Sequence, residues 1–196
     1  MPSPPTFSLT RESRSSPVTT SNATEVTIYL PKDQFYDLLT YTPVKGHGTS
    51  VHLTNVSYTS IPLHIKGGTV LPLRASSANT TTELRLKDFE IAIAPGTDAT
   101  AYGQLYIDDG VSITQKDPVT FAKFTYSRGT LHATGQFASK NRISLVSFLG
   151  VTKAPKSVSV NGKPVPQHAV TFDKTHSVVR AKVSIPLSHE FTVSIS

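Results

Sequence analysis

Asp108 and Asp109 come nearest to an acid–base pair in this sequence. Hydrolysis of a glycosidic bond needs two carboxylates on opposite sides of the substrate, about 5–10 Å apart. Successive residues of a strand point to opposite faces, and an Asp-Asp-Gly sequence is typical of a tight turn. We therefore predict that Asp108, Asp109 and Gly110 form a structural turn and not a catalytic dyad.

Sequence motifs that would place a catalytic group are absent. There is no G-x-S-x-G nucleophile elbow, no G-x-x-x-x-G-K-[ST] phosphate loop and no H-E-x-x-H zinc motif. Gly46-His47-Gly48 lacks the third glycine of a dinucleotide-binding loop, so it indicates a hairpin tip. We predict that the chain binds no cofactor.

His47, His52 and His64 are the candidate metal ligands. His52 and His64 fall on the polar faces of two predicted strands, where a divalent metal could bridge them. Surface histidines explain the pattern equally well, because the chain has no cysteine and no carboxylate of convincing spacing nearby. We predict no metal site.

Exposed aromatic rings are the usual platform of a sugar-binding module, and the chain has seven tyrosines but no tryptophan. Tyrosine in β-sandwiches packs more often in the core or across strands than against a ligand. Sugar binding is therefore left open. The tyrosines are Tyr29, Tyr36, Tyr41, Tyr58, Tyr102, Tyr106 and Tyr126.

Asn22, Asn55 and Asn79 each begin an N-glycosylation sequon, a pattern that is used only on chains entering the secretory pathway. The first residues lack the apolar core of a signal peptide, and no apolar run approaches the ~18 residues of a membrane span. The sequons are thus either unused or inherited from a secreted protein. The compartment stays open, and no membrane insertion is expected.

The net charge of +6 is unevenly distributed: residues 1–117 carry −2 and residues 118–196 carry +8. Such a basic half could bind a polyanion, although a solvated basic surface explains it as well. The candidate polyanion surface comprises Lys123, Arg128, Lys140, Arg142, Lys153 and Lys156.

Apolar residues alternate with polar ones in many short segments separated by turn residues. Val26, Ile28 and Leu30 are one example, and Gly67-Gly68 is a predicted turn. No segment keeps the helical apolar spacing over three turns. This pattern predicts an all-β fold of two β-sandwich-like units. We expect a flexible N-terminal arm over 1–15, a first sandwich over 16–80 and a second sandwich over 81–196.

Four segments occur in an order that resembles the C-terminal region of glycoside hydrolase family 31 α-glucosidases, in their fungal form. They are VTIYLP at 26–31, FYD at 35–37, IPLHIKGGTVLPL at 61–73 and GQLYIDDG at 103–110. In that family a catalytic (β/α)8 barrel precedes a proximal and a distal β-sandwich domain, and the four segments belong to the two sandwiches. Phe35 stands where the family usually has tryptophan.

The resemblance implies that the catalytic barrel is absent here. The family's nucleophile motif contains tryptophan and an internal methionine, whereas this chain has no tryptophan and only Met1. No catalytic residue can therefore be carried over. The resemblance also implies that the proximal sandwich is incomplete, because the family's domain begins several strands before Ser16.

We expect a non-catalytic binding or interaction protein that recognises a glycan or a cell-surface receptor. The alternative is a processed or cloned structural fragment of a full α-glucosidase. An incomplete sandwich leaves an open edge, which predicts a homodimer. Alternatively, the arm over residues 2–20 covers the edge within one chain and the protein stays monomeric.

Overall fold

The computed structural model describes residues 7–10, 13–57, 59–114 and 118–196. It is 49% strand and 4% helix, which confirms the prediction of an all-β fold. Among these residues, no helix has the length and apolar character needed to cross a membrane.

Two small sheets are built from the N-terminal part of the chain. The first contains, in spatial order, β1 (Phe7–Thr10), β2 (Ser13–Ser15), β7 (Leu63–Lys66), β4 (Gln34–Asp37) and β5 (Pro43–Lys45). The second pairs β3 (Val26–Leu30) with β6 (Thr49–Leu53). Strands β1 and β2 thus lie where a flexible arm was expected, and β2 pairs with β7.

The third sheet has eleven strands and takes up the rest of the chain. In spatial order they are β15 (Lys163–Pro164), β14 (Val158–Val160), β18 (Phe191–Ile195), β12 (Thr130–Gln136), β11 (Thr120–Ser127), β10 (Ala101–Ile107), β8 (Thr69–Arg74), β9 (Phe89–Ala94), β13 (Arg142–Leu149), β17 (Val178–Pro186) and β16 (Val170–Asp173). A short helix α1 (Thr81–Arg85) links β8 to β9, and a 3-10 turn at Gln167–Ala169 precedes β16.

The large sheet folds over its own core. Phe124 and Leu131 from one half and Ile91, Ile143 and Phe148 from the other are fully buried in a single cluster. Because side chains alternate along a strand, the opposite face of each of these strands points away from this core. The sheet therefore has two outward faces, one on each side of the sandwich.

One outward face is covered by the five-stranded sheet. Ala92 and Ala94 of β9 and Leu149 of β13 pack in a second buried cluster with Tyr36 and Ile65 of that sheet. The Tyr36 hydroxyl donates a hydrogen bond of 2.9 Å to the carbonyl oxygen of the residue after β9. Burial raises the pKa of Tyr36 to about 12, so this hydroxyl stays protonated. Strands β9 and β13 are consequently buried on both faces.

The unit boundary expected at residue 80 falls after a strand of the large sheet. Strand β8 pairs with β9 over six residues, and its Val70 is buried in the large core. The turn that leads into β8 contains Gly67 and Gly68, the latter at φ 90°. A Cβ at Gly67 would lie 2.9 Å from the Gln34 carbonyl oxygen, so the close approach of β4 requires glycine there.

His64 on β7 is 4% exposed, and its Nδ1 atom has no hydrogen-bond partner within the described part of the chain. Burial lowers the pKa of His64, and nearby Asp37 partly opposes this. In the unfolded chain the imidazole protonates at its ordinary pKa of about 6.5. The stability linked to neutral His64 is therefore complete above that pH and is lost as the pH falls toward the depressed folded pKa.

We predict that His64→Leu makes the free energy of unfolding less dependent on pH between 7 and 5. Urea unfolding at several pH values measures this slope. His47→Leu, at an exposed position, is the control and should retain the wild-type slope. Equal slopes for wild type and His64→Leu would show that His64 does not resist protonation in the fold.

Candidate binding face

The three candidate metal ligands lie in different surroundings. His52 lies on β6, and its Nε2 atom is 3.2 Å from a carboxylate oxygen of Glu25. His64 is buried on β7, and His47 is exposed at a loop. The described residues contain no group of three or more His, Cys, Asp or Glu side chains that could hold a metal ion.

Asp108 and Asp109 both use their carboxylates in local structure. Asp108 accepts a hydrogen bond of 3.1 Å from the Arg85 guanidinium. Asp109 accepts the backbone amides of Val111 and Ser112 through Oδ1 and the Ser112 hydroxyl through Oδ2. These bonds lower the pKa of Asp109 to about 2, with the Ser112 hydroxyl as the largest cause. A general acid needs the opposite shift.

The six residues of the candidate polyanion surface lie at separate places on the second half of the chain. Lys123 is in the middle of β11, Arg128 is at the β11–β12 turn, and Lys140 follows β12 at the other end of that hairpin. A strand of this length spans about 25 Å. Arg142 is engaged with Ser184, to whose carbonyl oxygen it donates at 2.8 Å, whereas Lys153 and Lys156 lie between β13 and β14.

The three sequon asparagines are all exposed. Asn22 and Asn55 have φ values of 58° and 57°, the left-handed region that asparagine tolerates in turns. Asn79 lies in the segment before α1. Exposure leaves each side-chain amide accessible, and nothing in the fold links the three into one site.

A continuous open face lies on the side of the large sheet that the small sheets do not cover. It is formed by the outward residues of β10, β11, β12 and β18, and we call it the open face. Tyr102 and Tyr106 of β10 are 43% and 56% exposed there. Their strand neighbours across the sheet are Thr125 and Phe121. The open face comprises Tyr102, Gln104, Tyr106, Phe121, Lys123, Thr125, His132, Thr134 and Thr192.

Strand geometry fixes the two tyrosines on one side, four residues apart, which corresponds to about 13 Å. Between them, the Gln104 amide donates a hydrogen bond to the Tyr102 hydroxyl. The Lys123 ammonium lies 5.6 Å from the centre of the Phe121 ring. The open face therefore alternates aromatic rings with hydrogen-bond donors. A neighbouring carboxylate is that of Glu190, just before β18, which accepts a hydrogen bond of 3.4 Å from the Gly135 backbone amide.

Gly103 holds β10 close to its neighbour on the other side. A Cβ at Gly103 would lie 1.9 Å from the Val70 carbonyl oxygen of β8. Gly103 and Ala101 point inward, so the two tyrosines point outward. The alternation of Tyr102, Gln104 and Tyr106 with inward residues is the sequence pattern that indicates this face. The general preference of tyrosine for packing in the core or across strands argues against that interpretation, so sequence alone leaves sugar binding open.

A family model and similar proteins point to the same family. Residues 15–71 match the model of the glycosyl hydrolase family 31 C-terminal domain. The probable alpha/beta-glucosidase agdC of Aspergillus flavus is 49% identical over 139 residues, which are 70% of this chain and 16% of the relative. Its Aspergillus fumigatus counterpart is 40% identical over 183 residues, which are 92% of this chain and 20% of the relative.

The chain resembles the C-terminal region of glycosyl hydrolase family 31. It spans a fifth or less of the length of these fungal relatives. The resemblance found in the sequence motifs is thereby confirmed.

Solved structures show the same fold for the family 31 C-terminal region. A glucosidase II alpha subunit superposes with a TM-score of 0.78 and 21% identity, over 94% of this chain and 22% of that chain. A family 31 dextranase of Flavobacterium johnsoniae gives a TM-score of 0.73 at 16% identity, over 97% of this chain and 26% of that chain.

The part of family 31 represented here is a C-terminal domain region and not the catalytic one. This agrees with the state of Asp108 and Asp109, whose carboxylates are held in a turn. Because the charged carboxylate of Asp109 stabilises the turn, its protonation at acidic pH should lower the stability of the protein.

We predict that Asp109→Ala lowers the melting temperature at pH 7 and that the difference disappears near pH 2. The folded pKa of Asp109 is depressed, so its contribution is present above the ordinary carboxyl pKa and is lost as the pH falls through about 2. Thermal unfolding followed by circular dichroism checks this.

Asp109→Asn is the control for this change, because the amide oxygen still accepts backbone hydrogen bonds but does not titrate. Its melting temperature should lie between those of wild type and Asp109→Ala at pH 7. An alanine variant as stable as wild type at pH 7 contradicts the assigned role.

Proposed function

We propose that this chain is a non-catalytic region of a family 31 glucosidase that binds α-linked glucose polymers on its open face. The observation that carries the proposal is the outward alignment of Tyr102, Gln104 and Tyr106 on β10. The relatives named alpha/beta-glucosidase support a glucose polymer as the ligand, and the relative named alpha-glucosidase supports the α linkage.

Aromatic rings and sugar rings fit this geometry. One face of a pyranose carries mainly C–H groups, which pack against an aromatic ring with loss of apolar surface to water. Tyr102 and Tyr106 offer two such rings about 13 Å apart on one strand. A chain of several glucose units can therefore contact both rings at once.

Hydrogen-bonding side chains between the two tyrosine rings can orient a bound sugar chain. Gln104 and Thr125 lie on neighbouring strands of the open face, and both are exposed. Their amide and hydroxyl groups can exchange hydrogen bonds with sugar hydroxyls. Lys123 and His132 add donors without adding negative charge.

The open face is also held in place before any ligand binds. Strand β11 is paired along its length with β10 on one side and β12 on the other. The reverse side of these strands packs into the buried core through Ala122, Phe124 and Leu131. A preorganised face loses little conformational entropy on binding.

We predict that the double variant Tyr102→Ala, Tyr106→Ala weakens binding to maltoheptaose by about tenfold or more. Each aromatic contact contributes roughly 0.5–1.5 kcal/mol, and 1.4 kcal/mol corresponds to tenfold. Isothermal titration calorimetry with wild type and variant measures the change, and cellohexaose tests the preference for the α linkage.

Tyr29→Ala is a matched control, because Tyr29 is also 43% exposed but lies on β3, in a different sheet. It should bind maltoheptaose as wild type does. Absence of maltoheptaose binding to wild type, or an equal loss in Tyr29→Ala, contradicts the proposal. A concentration-dependent dimer that only the double variant loses would instead assign the open face to self-association.

The second candidate is a purely structural part of a longer glucosidase, which the small share of the relatives' length favours. Both candidates predict that the purified chain does not hydrolyse 4-nitrophenyl α-glucoside. Turnover that persists through purification and is lost in Asp109→Ala would contradict both. Maltoheptaose binding by the isolated chain separates them.

A further inference from the structure

A groove lies where the two ends of the large sheet approach each other. The outermost strands are β15 at one end and β16 at the other, and β17 lies next to β16. Residues Val160–Pro166 form one wall of the groove, and residues Lys182–Pro186 form the other. Its volume is about 550 Å³. The open face is on strands β10, β11, β12 and β18, so the groove is a separate surface.

The walls of the groove are apolar. Val165 and Val183 are half-buried beside it, and Ile185 reaches from the groove into the core. Pro164 and Pro166 stand on the wall opposite Lys182–Pro186. Proline has no backbone N–H, so this wall presents few backbone hydrogen-bond donors to an occupant.

The charge around the groove has one sign. Lys163 and Lys182 line it from opposite walls, and His189 lies beside them. No aspartate or glutamate is among the described residues that line the groove. An occupant of complementary charge is therefore acidic.

One wall also carries an unpaired strand edge. Strand β17 runs from Val178 to Pro186, but β16 pairs with it only as far as Ala181. On its other side β17 pairs with β13 up to Pro186, with a shift of register between the Leu145–Lys182 and Ile143–Ile185 pairs. Beyond Ala181 no described strand pairs with β17 on the groove side, although the Gln167–Ala169 turn lies against β17 and the Ser184 carbonyl oxygen already accepts from Arg142. The other backbone groups of Lys182–Pro186 that point toward the groove are available to an added strand.

We propose that this groove binds an extended peptide of alternating acidic and apolar residues, which adds as a strand to β17 at Lys182–Pro186. The apolar side chains of the peptide lie against Val165 and Val183. Its carboxylates contact Lys163 and Lys182 at the rim of the groove. The proposal does not depend on the carbohydrate-binding proposal, because the two surfaces share no residue.

The test uses the full chain and the synthetic peptide acetyl-Glu-Val-Glu-Ile-Glu-Val-Glu-amide, with two-dimensional amide NMR as the readout. We expect saturable shifts of the backbone amides of Lys163, Val165 and the segment 182–185. The same peptide with lysine in place of glutamate should cause none. Two peptides carry methyl groups on the two alternate sets of backbone nitrogens. One of them should lose binding at least about tenfold and the other should retain it, because only one set of N–H groups points to β17.

Charge reversal locates the site. The variant Lys163→Glu, Lys182→Glu should weaken binding at least about tenfold, whereas Lys153→Glu, Lys156→Glu changes the net charge equally at two exposed positions and should retain binding. Equal loss in both variants, shifts confined to other strands, or no shift at millimolar peptide overturns the proposal.

Discussion

Burial of β9 and β13 on both faces is the constraint on which the rest of the structure depends. Residues Ile91, Ala92, Ile93 and Ala94 are four consecutive positions with 0% exposure. A single core cannot bury all four side chains, because successive side chains of a strand point to opposite sides of the sheet. The sheet must therefore have packed layers on both sides of these strands. The small side chains of Ala92 and Ala94 lie on the side of β9 against which Tyr36 packs.

This constraint sets the asymmetry of the molecule. The five-stranded sheet covers the outward face of β9 and β13, and it leaves the outward face of β10, β11, β12 and β18 in water. Because the five-stranded sheet packs on β9 and β13, the N-terminal and C-terminal parts of the chain share a buried contact as well as the segment that connects them. The uncovered half explains why Tyr102 and Tyr106 can be exposed on central, well-paired strands without disturbing the core.

Much of the fold could be predicted from the sequence because local patterns determine it. The alternation at Val26, Ile28 and Leu30 reports a half-buried strand, and Asp108-Asp109-Gly110 reports a turn. The family resemblance also rests on short local motifs. These features depend on neighbours in the chain and need no knowledge of distant partners.

Features that depend on distant partners could not be predicted in this way. His64 alternates with apolar residues, which predicts a polar face, but the segment after β6 lies beside it and the side chain is buried. Strand β8 lies within the expected first unit, yet its partners β9 and β10 belong to the next. The outward direction of Tyr102 follows from which side of β10 meets the core.

Thiol labelling of single-cysteine variants tests the central claim most directly, since the chain contains no cysteine of its own. Thr125→Cys lies on the open face and Ala92→Cys on the covered one. We predict that the cysteine at 125 reacts as fast as in urea-unfolded chain, that the one at 92 is protected, and that maltoheptaose slows only the former. Protection at 125 without ligand, fast reaction at 92, or no effect of maltoheptaose at 125 would contradict the account.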